Sequence, residues 1–306
     1  MLKKYQIQNG KIVQDGAQEC PIFVYINPDE TERKYLIETL QIDEHTFNSA
    51  LDPDELGRVE FEANHTAMII KRPKRYSSED NFLFKISSVG LFVFADKLIV
   101  LLSEEVSLFD GRLFNKIRSL NDLLLKIMHR CILHFEEHLH VIQKISDELE
   151  IEINKAMHNR DLVYMFNLEK SLVYYLKAIV SNGKVIEKLK ANTAKISFTT
   201  EAIEYVDDVI IENSQCLEEA NTYSQVLSGM MDAWVSIVSN NLNIRIKALT
   251  ILTLCIMMPT LIVSIFSMNV PLPIAQEGTV ASFWIILGMA VASAAVIALI
   301  WRYRKW

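Results

Sequence analysis

Counting from Asn243 in alternating steps of three and four selects Asn243, Ile246, Thr250, Thr253, Met257, Thr260 and Ser264, while most intervening positions are Leu, Ile, Val or Ala. That spacing places the selected residues on one helix face. In lipid, an amide or hydroxyl turns toward protein or water, so this face is a candidate lining for a polar pathway around an axis shared by several copies. The same hydroxyls could instead bond back to their own helix or join neighbouring helices. A rival pattern, His134, Phe135, Glu136, Glu137 and His138, matches the H-x-x-E-H arrangement of some zinc peptidases. It lies in a continuous charged, Glu-rich stretch with no identifiable further ligand, so no zinc centre is expected there. The chain has nine glycines and none are clustered, which excludes a glycine-rich phosphate loop and argues against an ATP-driven pump or another nucleotide enzyme.

The elements that would carry the polar face are two charge-free runs, Ala248 to Phe266 and Phe283 to Trp301, of 19 residues each. As helices they span roughly 28 Å, the thickness of a bilayer's hydrocarbon core. They account for a 50 % hydrophobic composition in a 306-residue chain. Core helices of soluble proteins rarely stay charge-free for five turns. The start of the chain, Met1 to Gln8, has no apolar core of the signal-peptide kind. Arg245 and Lys247 precede the first run and Arg302, Arg304 and Lys305 follow the second, whereas the connecting loop 267–282 has neither Lys nor Arg. The positive-inside rule therefore turns the loop outward and keeps both termini in the cytoplasm. The second run holds Gly288, Ala290, Ala292, Ser293, Ala294, Ala295 and Ala298, small residues suited to close packing in a supporting helix.

All but five of the 31 basic residues and all but one of the 38 acidic residues precede Asn243, which gives that part a net charge near −11. Nucleic acid is disfavoured as a partner and cations are favoured. Cys20, Cys131, Cys216 and Cys255 are scattered and read as reduced packing residues. Strand-like stretches occur at 21–26, 58–62, 66–71, 82–88, 90–94 and 97–102, with short helices at 29–40 and 43–51, so residues 1–110 should form an α/β domain with a mixed sheet. From Leu113 to Met258 there is no proline, and Gly183 and Gly229 are the only glycines. Long helices are expected at about 112–158, 161–194 and 200–266, with breaks near Asn159 and Ser197. The expected layout is thus a cytosolic α/β domain (1–110), a long helical stalk (111–246) and a transmembrane hairpin (247–306). The third long helix would run on the order of 100 Å. Two spans cannot enclose a polar pathway alone, so oligomerisation follows.

Past the first run stand Phe266, Ser267, Met268, Asn269 and Val270, then Pro271, Leu272 and Pro273. This resembles the CorA magnesium transporter family, which carries Tyr, Gly, Met, Asn at the outer end of its first span, followed by an apolar residue and a nearby proline. The aromatic residue, Met268 and Asn269 match; Ser267 replaces the glycine. Residues 239–243, Leu249, Thr250 and Ile251 within the span, Met257 deeper and the basic tail ending in Trp306 agree with the same layout. The resemblance implies a homopentamer in the plasma membrane, passing Mg²⁺ and also Co²⁺ or Ni²⁺, with divalent cations as substrate and regulator and no cofactor. It implies an outer ring of Asn269 amides that hold a hydrated ion through its water, an inner ring of Asn243, apolar constrictions at Ile246, Leu249 and Met257, and Thr260 in the upper pore. Flow would follow the membrane potential, about 4.6 kcal/mol for a doubly charged ion at 100 mV. It further implies regulatory metal between cytosolic domains, for which Asp208, counted back from Asn243, and Glu79 and Asp80 in the 77–80 loop are candidates. Serine at a position needing positive φ would cost roughly 1 kcal/mol, which bears on ion preference. A zinc transporter of the wider superfamily and a non-transporting membrane-anchored scaffold are the alternatives.

Overall fold

The computed structural model describes residues 1–14, 20–76, 81–156, 159–268 and 280–304. It divides into two compact units, Met1–Met231 and Asp232–Trp306.

The first unit is built on a seven-stranded sheet: β1 (Leu2–Gln8), β2 (Lys11–Gln14), β3 (Ile22–Ile26), β4 (Arg58–Phe61), β5 (Thr66–Pro73), β6 (Ile86–Val93) and β7 (Leu98–Leu102), in the order β2-β1-β3-β7-β6-β5-β4. β3 and β7 run parallel and the other pairs antiparallel, which is the mixed sheet expected. The central strands are apolar at nearly every position because both faces are covered. Alternation sorts their side chains. Val24, Met68, Leu91 and Val100 join one core, and Tyr25, Ile69, Phe92 and Leu101 join the other.

The second of these cores is closed by two short helical segments. α1 (Glu30–Lys34) starts from a capping box at Asp29 and runs on as a π turn over Tyr35–Thr39; α2 (Glu44–Leu51) starts at Asp43, whose carboxylate accepts from the Thr46 N–H at 2.9 Å. The sequence divides this stretch into two strands at Val89, whereas the structure runs it as one strand, β6, with Gly90 in its middle. A Cβ there would lie 2.7 Å from the Ala50 Cβ, so glycine is what lets α2 lie this close to the sheet.

The larger core lies between the sheet and long helices: α3 (Leu120–Ala156), α4 (Asn159–Lys190), the single-turn α5 (Thr193–Ile196) and α6 (Thr200–Phe266), whose Val206, Val209, Cys216, Ala220 and Leu227 are buried. α3 begins at Leu120 rather than Arg112, because Arg112–Asn115 forms a 3₁₀ turn and Ser119 caps the helix, its hydroxyl accepting from the Asp122 N–H at 3.1 Å. Ser197, in the left-handed region at φ 56°, ends α5 and separates it from α6. On α4, the Asn182 side chain bonds both backbone groups of Lys71 in β5 (2.7 and 2.8 Å), extending the ladder past the end of β4. The hairpin β1–β2, missed in the sequence, turns on Asn9 and Gly10, both at positive φ.

The second unit consists of α6 from Asp232 onward and α7 (Val280–Arg304). Both are long and apolar enough to cross a membrane. Neither apolar segment is buried as a soluble protein's core helix would be.

Candidate ion pathway

Within the second unit, α6 is not uniformly bare. Within its charge-free run the partly covered positions are Ile251, Cys255, Pro259, Ile262 and Phe266, spaced by four, four, three and four residues. α7 shows a matching line at Ser282, Ile286, Met289, Ala290, Ser293 and Ile297, of which Ala290 is buried. These are the faces on which a helical hairpin closes, with Ala290 and Ser293 supplying the small residues expected of it. At 3.6 residues per turn, the line through Asn243, Ile246, Thr250, Thr253, Met257, Thr260 and Ser264 falls roughly half a turn away from the covered face of α6. Every residue of that line, with Leu249 beside it, is exposed in the single chain. The polar stripe is therefore the face that α7 leaves open.

The hydroxyls on the stripe bond back to their own helix. Thr250 donates to the Ile246 carbonyl at 2.9 Å, Thr253 to Leu249 at 2.9 Å and Thr260 to Ile256 at 2.7 Å. This arrangement is compatible with a water-lined path. A hydroxyl that spends its proton on the helix keeps its oxygen lone pairs as acceptors. The outer hydrogens of a cation's first-shell waters need acceptors, so such a wall suits a hydrated ion. Thr260 also reinforces the turn at Pro259, where the missing N–H removes a helical bond without ending the helix.

At the C-terminal end of α6, the Ser267 N–H reaches the Val263 carbonyl at 3.0 Å and its hydroxyl donates to the Ser264 carbonyl at 2.9 Å. Ser267 is not among the residues with positive φ. The conformational penalty expected for serine in place of glycine is therefore absent in this backbone. Met268 is exposed. Asn269 lies outside the described residues, as do Glu79 and Asp80. Asp208 is exposed on α6, and next to it Asp207 pairs with Lys190 at 2.6 Å. Among the described residues of one chain, no three His, Cys, Asp or Glu side chains converge as a metal site.

The H-x-x-E-H residues separate by role. His138 is buried, its Nδ1 2.7 Å from the Tyr175 hydroxyl, with the His134 ring 4.6 Å away at a steep angle. Burial, then His134 and Arg72, pushes the His138 pKa down to about 3. Glu137 turns outward to grip Arg130 at 2.6 Å. The histidines thus serve packing, as the sequence context had suggested.

A profile described as "CorA-like Mg2+ transporter protein" matches residues 20–304. The chain belongs to this family. It is 26 % identical to the "Cobalt/magnesium transport protein CorA" of Methanocaldococcus jannaschii, over 98 % of this chain and 97 % of that protein. The complete structure of the CorA magnesium transporter from the same organism superposes with a TM-score of 0.81, covering 98 % of this chain and 96 % of that one at 23 % identity. A full-length protein described as CmaX gives a TM-score of 0.70 over 99 % of this chain and 97 % of its own, at 15 % identity. The fold is accordingly that of the CorA transporters: an N-terminal α/β domain, a long helix and two C-terminal apolar helices. This is a membrane protein of a divalent cation transporter family, not of an enzyme family.

Proposed function

We propose that this chain is one subunit of a homo-oligomeric, pentameric channel for hydrated divalent cations, with Mg²⁺ the principal ion and Co²⁺ a secondary one. The observation that carries this reading is the polar stripe on α6, exposed and turned away from α7. Copies of α6 arranged around an axis would present Thr250, Thr253, Thr260 and Ser264 as acceptors to the waters of a passing ion, with Asn243 at the inner end and Ile246, Leu249 and Met257 as narrow apolar stations. Asn269 forms the outer ring. The plasma membrane holds the hairpin with both termini in the cytoplasm, in keeping with the basic residues that flank the two spans, and the membrane potential drives inward flow. The name of the 26 % identical relative, a cobalt/magnesium transport protein, supports the choice of ions.

Gating belongs to the cytosolic part. Asp208 of one subunit and Glu79 or Asp80 of the next hold a divalent ion when internal Mg²⁺ is high, cancelling carboxylate repulsion and favouring the closed state. An inter-subunit site of this kind draws its ligands from two chains.

The deciding experiment is flux into proteoliposomes of the purified full-length protein with Mg²⁺, Co²⁺ and Zn²⁺ offered separately. Uptake of Mg²⁺ and Co²⁺ that is lost in Asn269→Ala, with assembly unchanged, is the expected result. Failure to pass any of the three refutes the proposal, and a preference for Zn²⁺ would replace Mg²⁺ as the ion.

A further inference from the structure

Apart from the transport pathway, the first unit contains a cavity of about 230 Å³ between the sheet and α3, lined by Arg72 and Arg75 from β5 and the segment after it, Arg130, Cys131 and His134 from α3, and Asp110. Three guanidiniums at one cavity are unexpected in a region whose formal charge is near −11. Charge alone would make a weak case, because Arg72 has Glu104 at 2.8 Å and Arg130 has Glu137 at 2.6 Å. What distinguishes this cavity is the donor inventory.

Arg72 is 2 % exposed, and its two terminal nitrogens are used, one by Glu104 and one by the Pro73 carbonyl at 3.1 Å. Its Nε is buried and has no partner among the described residues. Buried N–H groups in folded proteins are nearly always paired, so an unpaired guanidinium donor on a residue that lines a cavity points to an acceptor there. Arg75 is exposed and has no ion pair with any described carboxylate. The field is felt nearby: His134 is held down to about 4, first by burial and then by Arg130 and Arg72. A neutral imidazole beside guanidiniums leaves the positive charge to them.

From this geometry we infer that the cavity bordered by Arg72, Arg75 and Arg130 is an oxyanion site for a phosphoryl group, either free phosphate or the terminal phosphate of a nucleotide. Planar guanidinium forks match the oxygen spacing of phosphate, and a tetrahedral dianion offers enough acceptors to serve several forks at once, which a monocarboxylate does not. A site of this kind ties strand β5 to helix α3.

The test is calorimetric titration of the full-length, detergent-solubilised protein at low ionic strength with inorganic phosphate, with ATP in the absence of divalent cation, and with acetate and chloride as controls. Saturable binding of phosphate or ATP but not of the controls is expected, and the tighter of the two identifies the source of the phosphoryl group. Arg75→Ala should weaken binding on the order of tenfold, the loss of one charge-assisted bond. Because Arg75 is exposed, the unliganded variant should unfold at the parental temperature, which separates lost binding from lost folding. Arg130→Gln tests the second element independently. Absence of saturable binding, equal binding of acetate, or parental affinity in both variants overturns the assignment.

Discussion

Replacing Thr253 by valine keeps the shape of the side chain and removes one hydroxyl from the middle of the open face of α6. The hydroxyl donates to the Leu249 carbonyl at 2.9 Å. That carbonyl also takes a helical N–H, so nothing buried is left unpaired, and the helix should lose no more than about 0.5 kcal/mol. The effect on transport should be larger. Each bond from a first-shell water to a wall oxygen contributes about 1 kcal/mol, and an ion centred in the ring meets at least two such oxygens. Losing about 2 kcal/mol of stabilisation for the ion at this level corresponds to a roughly 30-fold slower passage. The assay is Mg²⁺ uptake by proteoliposomes under a fixed potential, with Cys255→Ser as the control, since Cys255 lies on the face covered by α7. Parental flux in Thr253→Val, or an equal loss in Cys255→Ser, would refute the assignment of the open face to the ion.

Asp208→Ala should leave flux running at internal Mg²⁺ of several millimolar that closes the parent channel; if inhibition and Mg²⁺-dependent protease protection both persist, the brake lies elsewhere. Ser267→Gly should not stabilise the protein, since Ser267 carries no positive φ to relieve, and a rise in unfolding free energy near 1 kcal/mol would show that reasoning to be wrong. Asn182→Ala strips partners from the buried N–H and carbonyl of Lys71 and should cost about 3 kcal/mol in denaturant unfolding, whereas a change under about 1 kcal/mol would mean that water replaces the amide. His138 has a folded pKa near 3, below its unfolded value, so the unfolded chain takes up a proton first as pH falls. Stability should therefore decline from about pH 6.5 downward, by up to about 1.4 kcal/mol per unit of pH from this group, and His138→Gln should flatten the slope measured by thermal unfolding.

What the sequence made legible was set by patterns that depend on neighbours along the chain. A charge-free run needs no partner to declare itself, and the bounds of α6 follow from the polar Thr199 cap, whose hydroxyl accepts from the Ala202 N–H at 3.2 Å, and from the change of composition after Phe266. The acidic caps of the short helices were legible for the same reason. The Asn9–Gly10 hairpin had its signal in plain view and was passed over because its strands are short and carry only alternate apolar residues. The division of β6 at Val89 fails because Ser87, Ser88 and Gly90 around it read as an interruption, and only the position of Ala50 across the fold explains the glycine. The cavity at Arg72 and Arg130 joins a strand and a helix 58 positions apart in the chain, and no local pattern could bring them together.

The orientation of the stripe proposed to face the ion belongs to the same class. On one helix, threonines at steps of three and four could face an axis, a neighbouring helix or α7, and their bonds to the i−4 carbonyl would look alike in each case. The ambiguity is removed by the other helix of the unit. Ala290 is buried and the covered positions of α6 run from Ile251 to Phe266, which assigns α7 to one side and leaves Thr250, Thr253, Thr260 and Ser264 exposed half a turn away among the described residues. In a bilayer a hydroxyl that has already given its proton to the helix could lie against lipid at modest cost, so exposure does not by itself demand a pore. Asn243 tightens the argument. Its amide has donors and acceptors that no i−4 carbonyl can satisfy together, it sits on the same line about two turns below Thr250, and it lies beside Arg245 and Lys247 at the end of the charge-free run. A face that begins with such an amide at the membrane boundary and continues as hydroxyl acceptors is better matched to water and a hydrated cation than to acyl chains, and that match supports the role in transport proposed for the stripe.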